Sequence, residues 1–297
     1  MTTTMPDDSL HRFQLERAGV RGAHVRLDAA WRELRTHGDY EGALGTLLGE
    51  ALAASALFTS AIKFDGRLSV QLQDSGALKL LFAECTHDGR VRGIARRDDA
   101  APTAPIGLEP DARLAITIEN RVTQTRYQGI VPVEGGDLAT AFERYFERSE
   151  QLPTRIVLAQ AGERCAGILL QQVAGEGGSD GADDADGWNR ASHLLATLTQ
   201  EELLALPAED LLLRLFHEDG VRLQPPQPLA FACSCSHERV GDMLRSLGRA
   251  ECEETLAEQG SIQVDCEFCN RRYVFDAPDV AELFAAEPPM ESAPTRH

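Results

Sequence analysis

The sequence predicts an α+β protein with three parts. A largely antiparallel-sheet N-terminal domain comes first, then a helical leucine-rich linker, then a small C-terminal module built around four cysteines. Three observations predict this. Short segments of alternating polarity fill residues 1–173, divided by turn signals such as Asp74-Ser-Gly76 and Asp88-Gly89. A Gly/Asp-rich run interrupts the chain at Gly175–Gly187 and short leucine-rich stretches follow it. Two close cysteine pairs then lie near the C-terminus.

Within the first part, 12–17 and 22–27 read as extended. Residues 43–62 are rich in Ala and Leu at close spacing and predict a buried helix that neighbours approach closely. Arg67-Leu-Ser-Val-Gln-Leu-Gln73 alternates cleanly, as a half-buried strand does. Residues 78–85, 90–96, 113–119 and 127–133 continue the pattern. Residues 137–150 predict an amphipathic helix with Phe142, Tyr145 and Phe146 on one side, and 154–160 and 165–173 predict two further strands. Strands paired with few helices between them make the sheet largely antiparallel.

From Gly175 to Gly187 the chain holds Gly, Ser, Ala and Asp with five acids and almost no apolar side chain, which predicts a flexible linker. Its Gly177-Gly-Ser-Asp-Gly181 matches the nucleophile-elbow pattern only formally, because neither a strand before it nor a helix after it is expected. Residues 188–217 predict helices. Leu194, Leu195 and Leu198 form one stripe, Thr199 and Glu202 make a capping box, and Pro207 suits the first turn of a third helix that carries Leu211, Leu212, Leu213, Leu215 and Phe216. So much leucine in short helices is not left in water. The segment either belongs to the core, the reading its pattern favours, or forms a cover docked on the sheet.

The C-terminal module is expected over 229–286, and 287–297, with three prolines, as a disordered tail. Ser236 is placed to cap a helix with Val240, Met243, Leu244 and Leu247, closed by Gly248. A second helix carries Cys252, Leu256 and Ala257, and 262–266 with 272–275 form the arms of a hairpin. Cys233 and Cys235 stand in Cys-Ser-Cys, Cys266 and Cys269 in Cys-Glu-Phe-Cys, and 30 residues separate the pairs. Two close pairs joined by a foldable segment bring four thiolates to one tetrahedral ion, and soft sulfur ligands favour zinc. Four sulfurs close the shell, so the site is structural or redox-active and not hydrolytic. Cys-x-Cys also closes on itself as a small, strained and therefore labile disulfide. His237 is a possible competing ligand, but four sulfurs suffice and the surface of the following helix is its expected place. Asn270, Arg271 and Arg272 put donors and positive charge beside a formally dianionic site.

Bulk composition narrows the function. The chain has 297 residues, 43% hydrophobic, and a formal charge of -18 from 47 acids against 29 bases, which disfavours nucleic acid as a partner. Residues 1–13 have no basic start followed by an apolar run, and the apolar run 51–62 is too short to span a bilayer. A cytoplasmic location is the default, with seven cysteines reduced, metal-bound or reactive. Cys85, Cys165 and Cys252 lack near partners and are expected to be buried as small hydrophobes. Neither lysine, Lys63 or Lys79, lies in a Gly-Lys-Ser/Thr phosphate loop, and no His-Glu-x-x-His is present.

Tyr145-Phe-Glu-Arg-Ser-Glu-Gln-Leu-Pro153, Trp188-Asn-Arg-Ala-Ser-His-Leu-Leu195, Cys233-Ser-Cys235 and Cys266-Glu-Phe-Cys-Asn-Arg-Arg-Tyr273 carry a resemblance through nearly the whole length. The chain resembles the 33-kDa chaperonin family, the redox-regulated zinc holdases of bacteria. The resemblance implies a chaperone without enzymatic activity or nucleotide. Its reduced Cys233, Cys235, Cys266 and Cys269 would hold one zinc ion. Peroxide or hypochlorous acid would convert them to the disulfides Cys233–Cys235 and Cys266–Cys269 with loss of zinc. The segment from Trp188 to Phe216 would then loosen, the protein would dimerise, and apolar surface would be offered to unfolding clients under oxidative stress. Two other readings of the residues compete. One is a thiol–disulfide oxidoreductase working through Cys266 and Cys269, although the usual βαβ context is missing. The other is a purely structural zinc ribbon that binds a partner.

Overall fold

The computed structural model describes residues 8–61, 65–100, 105–133, 137–173 and 186–285. Most of the Gly/Asp-rich linker and the whole expected tail lie outside these. The chain forms two compact units, residues 1–232 and 233–297.

In the first unit β1 (Ser9–Leu15) and β2 (Val20–Leu27) form an antiparallel pair. Helices α1 (Ala29–Arg35) and α2 (Gly42–Ala61) follow. Next come β3 (Gly66–Gln73), β4 (Leu78–Thr86), β5 (Arg90–Arg97), β6 (Arg113–Asn120) and β7 (Thr125–Pro132). Helix α3 (Leu138–Tyr145) runs into a π turn at Phe146–Glu150, and β8 (Thr154–Ala161) and β9 (Arg164–Gln172) follow. The leucine-rich segment is three helices, α4 (Gly187–Leu195), α5 (Gln200–Ala205) and α6 (Ala208–Phe216), closed by a 3-10 turn at His217–Asp219. Short strands β10 (Val221–Leu223), β11 (Gln227–Pro228) and β12 (Ala230–Phe231) end the unit.

Two six-stranded sheets result. One has the order β10-β1-β2-β9-β8, with β11 also on β1; the other has the order β12-β5-β4-β3-β6-β7. Every described pairing is antiparallel except β12 with β5. The predicted alternation of β3 appears as alternating buried and half-buried positions. Strand β9 is buried from Cys165 to Gln171, because both of its faces are covered, and its sequence is accordingly apolar without alternation.

Helix α2 is apolar all round and packs on both sheets, so it forms the centre of the core. Its length and composition would let it cross a membrane, but it is mostly buried inside this unit. Phe58 near its end meets Phe142 and Phe146 edge-on, with ring centroids 4.7 and 5.0 Å away, which fixes α3 and the π turn. Gly22 must be glycine because a Cβ there would lie 2.2 Å from the Phe13 ring and 2.7 Å from the Leu169 carbonyl oxygen.

The far face of the first sheet carries Phe13, Leu15, Val20, Ala166, Ile168 and Leu170, and α4–α6 cover it with Ala191, Leu195, Leu203, Leu211, Leu212 and Phe216. The leucine-rich segment is therefore a cover docked on the sheet, and it forms a core cluster of its own. The Thr199–Glu202 capping box is present. Pro207 caps α6 one residue ahead of the helix proper, where its missing N–H costs nothing.

In the second unit, α7 (His237–Leu247) is capped at Ser236, whose Oγ accepts the Arg239 N–H at 3.2 Å, and it ends at Gly248. Helix α8 (Arg249–Gln259), the hairpin β13 (Ile262–Asp265) with β14 (Arg272–Phe275), and α9 (Ala277–Ala285) complete it. Its buried apolar cluster is small: Leu244, Cys252, Ile262, Tyr273, Phe275, Val280 and Phe284. Leu229 lies in the core of the first unit, so the compact second unit starts at Cys233, after β12.

Candidate metal centre

Two local structures present the four predicted cysteines. Cys233 and Cys235 lie on the loop between β12 and the Ser236 cap, where backbone donors are not consumed by a helix or sheet. Cys266 and Cys269 lie at the tip of the β13–β14 hairpin. There the Cys266 N–H donates to the Arg271 carbonyl at 2.9 Å and the Asn270 N–H donates to the Cys266 carbonyl at 2.8 Å. Asn270 takes the left-handed conformation, φ 54°, that closes this knuckle, a role asparagine tolerates better than most residues.

The two pairs meet. Cys233 Sγ is 3.5 Å from Cys266 Sγ and Cys235 Sγ is 3.4 Å from Cys269 Sγ. All four sulfurs lie within 4.8 Å of one another and all are half-buried. A tetrahedral ion with metal–sulfur bonds of about 2.3 Å requires sulfurs about 3.8 Å apart, so the arrangement fits a metal of this coordination. Among the described residues this is the one cluster of three or more His, Cys, Asp or Glu side chains close enough to share an ion.

The surroundings favour negative charge on Cys235 above Cys233 and Cys269. Burial pushes the Cys233 thiol up to about 12, and burial also raises Cys269. Burial acts upward on Cys235 too, but hydrogen bonds from Tyr273 and the neighbouring thiols outweigh it and bring Cys235 down to about 7. The Tyr273 hydroxyl donates to Cys235 Sγ at 3.1 Å. Arg271 in turn hydrogen-bonds Tyr273, and its pKa is raised by that bond and by the Tyr273, Cys235 and Cys269 charges.

Of the three residues expected to tune the site, Arg271 does face it. Arg272 is turned to Asp265, with Nε and one NH2 at 2.8 and 3.0 Å from its two carboxylate oxygens. Sequence reasoning missed Tyr273 as a partner of the sulfurs. Its signal was the hairpin register, which pairs Val264 with Tyr273 and so holds the ring beside the knuckle. His237 is exposed and stacks on Phe275, with centroids 4.2 Å apart. Cys85, Cys165 and Cys252 are 0%, 0% and 2% exposed, and burial raises all three thiols, Cys85 to about 12. They are poor nucleophiles packed as small hydrophobes.

Comparison with known proteins places this geometry. The family model described as Hsp33 protein matches residues 8–276. The chain belongs to the Hsp33 family. It is 45% identical over 294 residues to the 33 kDa chaperonin of Pseudomonas aeruginosa (strain LESB58), across 98% of this chain and 99% of that one. It is 43% identical over 291 residues to the 33 kDa chaperonin of Nitrosococcus oceani, with 98% and 99% covered. The fold is similar to the crystal structure of the 33 kDa chaperonin from Thermotoga maritima. The TM-score is 0.76 at 22% identity, covering 93% of this chain and 97% of that one. The α+β architecture expected from the sequence is therefore the family's fold.

Proposed function

We propose that this protein is a redox-regulated holdase chaperone. It would act in the cytoplasm without nucleotide or catalysis, binding unfolding proteins under oxidative stress and dimerising when active. Residues 1–173 would bind clients, the cover over 187–219 would gate them, and the four-cysteine unit would be the switch. The observation that carries this reading is the meeting of four sulfurs from two separate elements in a unit with a very small core.

In the reduced state Cys233, Cys235, Cys266 and Cys269 would hold one zinc ion. When bound, zinc supplies about 10 kcal/mol or more of folding free energy to a module this small. Seven buried residues do not replace that stabilisation. Oxidation would proceed at sulfur. A thiolate attacks one peroxide oxygen, giving a sulfenic acid and hydroxide, and a second thiolate displaces hydroxide to form the disulfide. Each disulfide consumes one peroxide and two protons and yields two waters. The closest sulfur approaches cross the two pairs, Cys233 to Cys266 and Cys235 to Cys269. The sulfurs of each local pair also lie within 4.8 Å of one another, and bonding them removes two thiolate ligands at once, which would couple disulfide formation to loss of the ion and of the stabilisation it gives. Strand β12 ends two residues before Cys233, so disorder beginning at the cysteines reaches the first unit along the chain.

The test follows zinc release and suppression of aggregation of a chemically unfolded client in the same samples, titrated with peroxide at mild heat. The two should rise together, and Cys→Ser at the four positions should uncouple them. Zinc release without protection would reduce the site to a structural ribbon.

A further inference from the structure

A second feature of the first unit, independent of the cysteines, is an open cleft of about 700 Å³ at the end of α2, lined among others by Arg12, Gln14, Arg21, Ser60, Gln171 and Gln224. Two of its lining residues are arginines, Arg12 and Arg21, and both are half-buried. Neither Arg12 nor Arg21 has a carboxylate partner among the described residues. Each is instead held by a neutral amide. Arg12 donates to Gln227 Oε1 at 3.1 Å, while Gln227 Nε2 donates to the His87 carbonyl at 2.9 Å. Arg21 donates through Nε and NH2 to Gln171 Oε1 at 3.1 and 2.9 Å, while Gln171 Nε2 donates to Thr154 Oγ1 at 3.3 Å. Gln171 is fully buried. Each amide is thus oriented by its own second contact and presents oxygen to the guanidinium. This fixes the arginines in place without cancelling their charge. Burial without a compensating carboxylate also lowers the Arg12 pKa.

The register places both arginines on one face. Arg12 pairs with Ala23 and Gln14 pairs with Arg21, so the arginines are diagonal neighbours about 7–8 Å apart. The amides hold Arg12 toward β11 and Arg21 toward β9, so the two guanidiniums flank the cleft from opposite sides, and planar guanidinium forks match the oxygens of a phosphoryl group lying between them. The cleft is larger than a bare phosphate needs and falls within the range of small-molecule sites. We propose that this cleft binds a small phosphate ester, with Arg12 and Arg21 on the phosphoryl group and the glutamine and serine side chains on the remainder. The Gln224 N–H donates to the Arg12 carbonyl at 2.8 Å, directly after β10, so an occupied site would also brace the return of the chain from the cover.

The probe is inorganic phosphate, titrated by calorimetry into the reduced, metal-loaded full chain, with sodium chloride at equal ionic strength as the control. Saturable one-to-one binding is expected. Arg12→Gln and Arg21→Gln should each weaken it at least about tenfold, the loss of one charge-assisted contact. Gln227→Glu separates the site from folding: the new carboxylate retains Arg12 by an ion pair but neutralises it. The variant exchanges the amide's bond to the His87 carbonyl for the ion pair to Arg12, so affinity should fall at least about tenfold while the protein still melts in one cooperative transition. Heats indistinguishable from the chloride control, or equal affinity in the wild type and Gln227→Glu, would overturn the proposal.

Discussion

Arg190 and Asp219 pin the two ends of the cover together, and breaking that pair should open it. Arg190 lies on α4 and donates from Nε to Asp219 Oδ1 at 3.0 Å, with a second, shorter contact from NH2. Asp219 ends the 3-10 turn after α6 and is 1% exposed, whereas Arg190 is 34% exposed. The Asp219 carbonyl also accepts the Arg17 N–H at 3.0 Å, which ties the turn to the β1–β2 connection. Arg190→Ala leaves a carboxylate buried without its cation. Removing one partner of a buried pair costs about 3–5 kcal/mol, and water reaching the half-exposed arginine site brings this to the lower end, about 3 kcal/mol. At 1.36 kcal/mol per decade the opening equilibrium of the cover rises about 150-fold. Hydrogen exchange of residues 187–219 in the reduced, metal-loaded protein should accelerate by that factor while α2 stays protected. If the cover gates clients, the same variant should suppress client aggregation partly without oxidant. Asp219→Asn combined with Arg190→Ala should recover most of the protection, since no buried charge remains. Exchange unchanged in the single variant, or a double variant as open as the sum of both, would refute the reasoning.

Two further outcomes concern pH. His24 lies under the cover with neither ring nitrogen partnered, and burial, with smaller contributions from His11 and Arg26, lowers its pKa from 6.5 to about 3. The unfolded chain binds the proton first, so stability falls as pH drops below about 6.5. From pH 7 to pH 5 the loss is about 2 kcal/mol, and His24→Leu should flatten that slope in urea titrations at the two pH values. Glu50 on α2 behaves in the opposite sense: burial first, then Asp137, raises its carboxyl to about 7. Stability contributed by its protonated form is lost as pH rises from about 4.5 through 7. Glu50→Gln should therefore raise stability at pH 8 by about 3 kcal/mol and leave it nearly unchanged at pH 4.

The predicted strands and the long apolar helix were legible because their signals are local. Alternation in Arg67–Gln73, turn residues at Asp74–Gly76 and an unbroken run of Ala and Leu in α2 each state their burial within one window. Helix α1 was not legible. Its Asp28 cap gives no side-chain bond to the helix, being turned to Arg26 and Arg164; instead Asp8, just ahead of β1, accepts the Ala29 and Ala30 N–H groups at 2.9 and 2.6 Å. A cap supplied from 21 and 22 residues away leaves no sequence signature. Helix α9 did carry one that went unread: Asp276 and Asp279 accept each other's backbone N–H at 3.0 Å, a reciprocal box immediately before Val280 and Phe284.

Residue identity and spacing alone determined the chemistry of the cysteine cluster. Only sulfur offers soft ligands of this kind, and two close pairs joined by a foldable segment have few other uses. The tertiary structure decided what spacing does not encode. It set the Tyr273 hydroxyl on Cys235, turned Arg272 away to Asp265, and laid the leucine-rich helices on the far face of a sheet already buried on its other side. Those outcomes depend on strand register and on which face of a sheet is left to cover. Both come from pairing residues distant in the chain, and neither is stated in any local stretch of it.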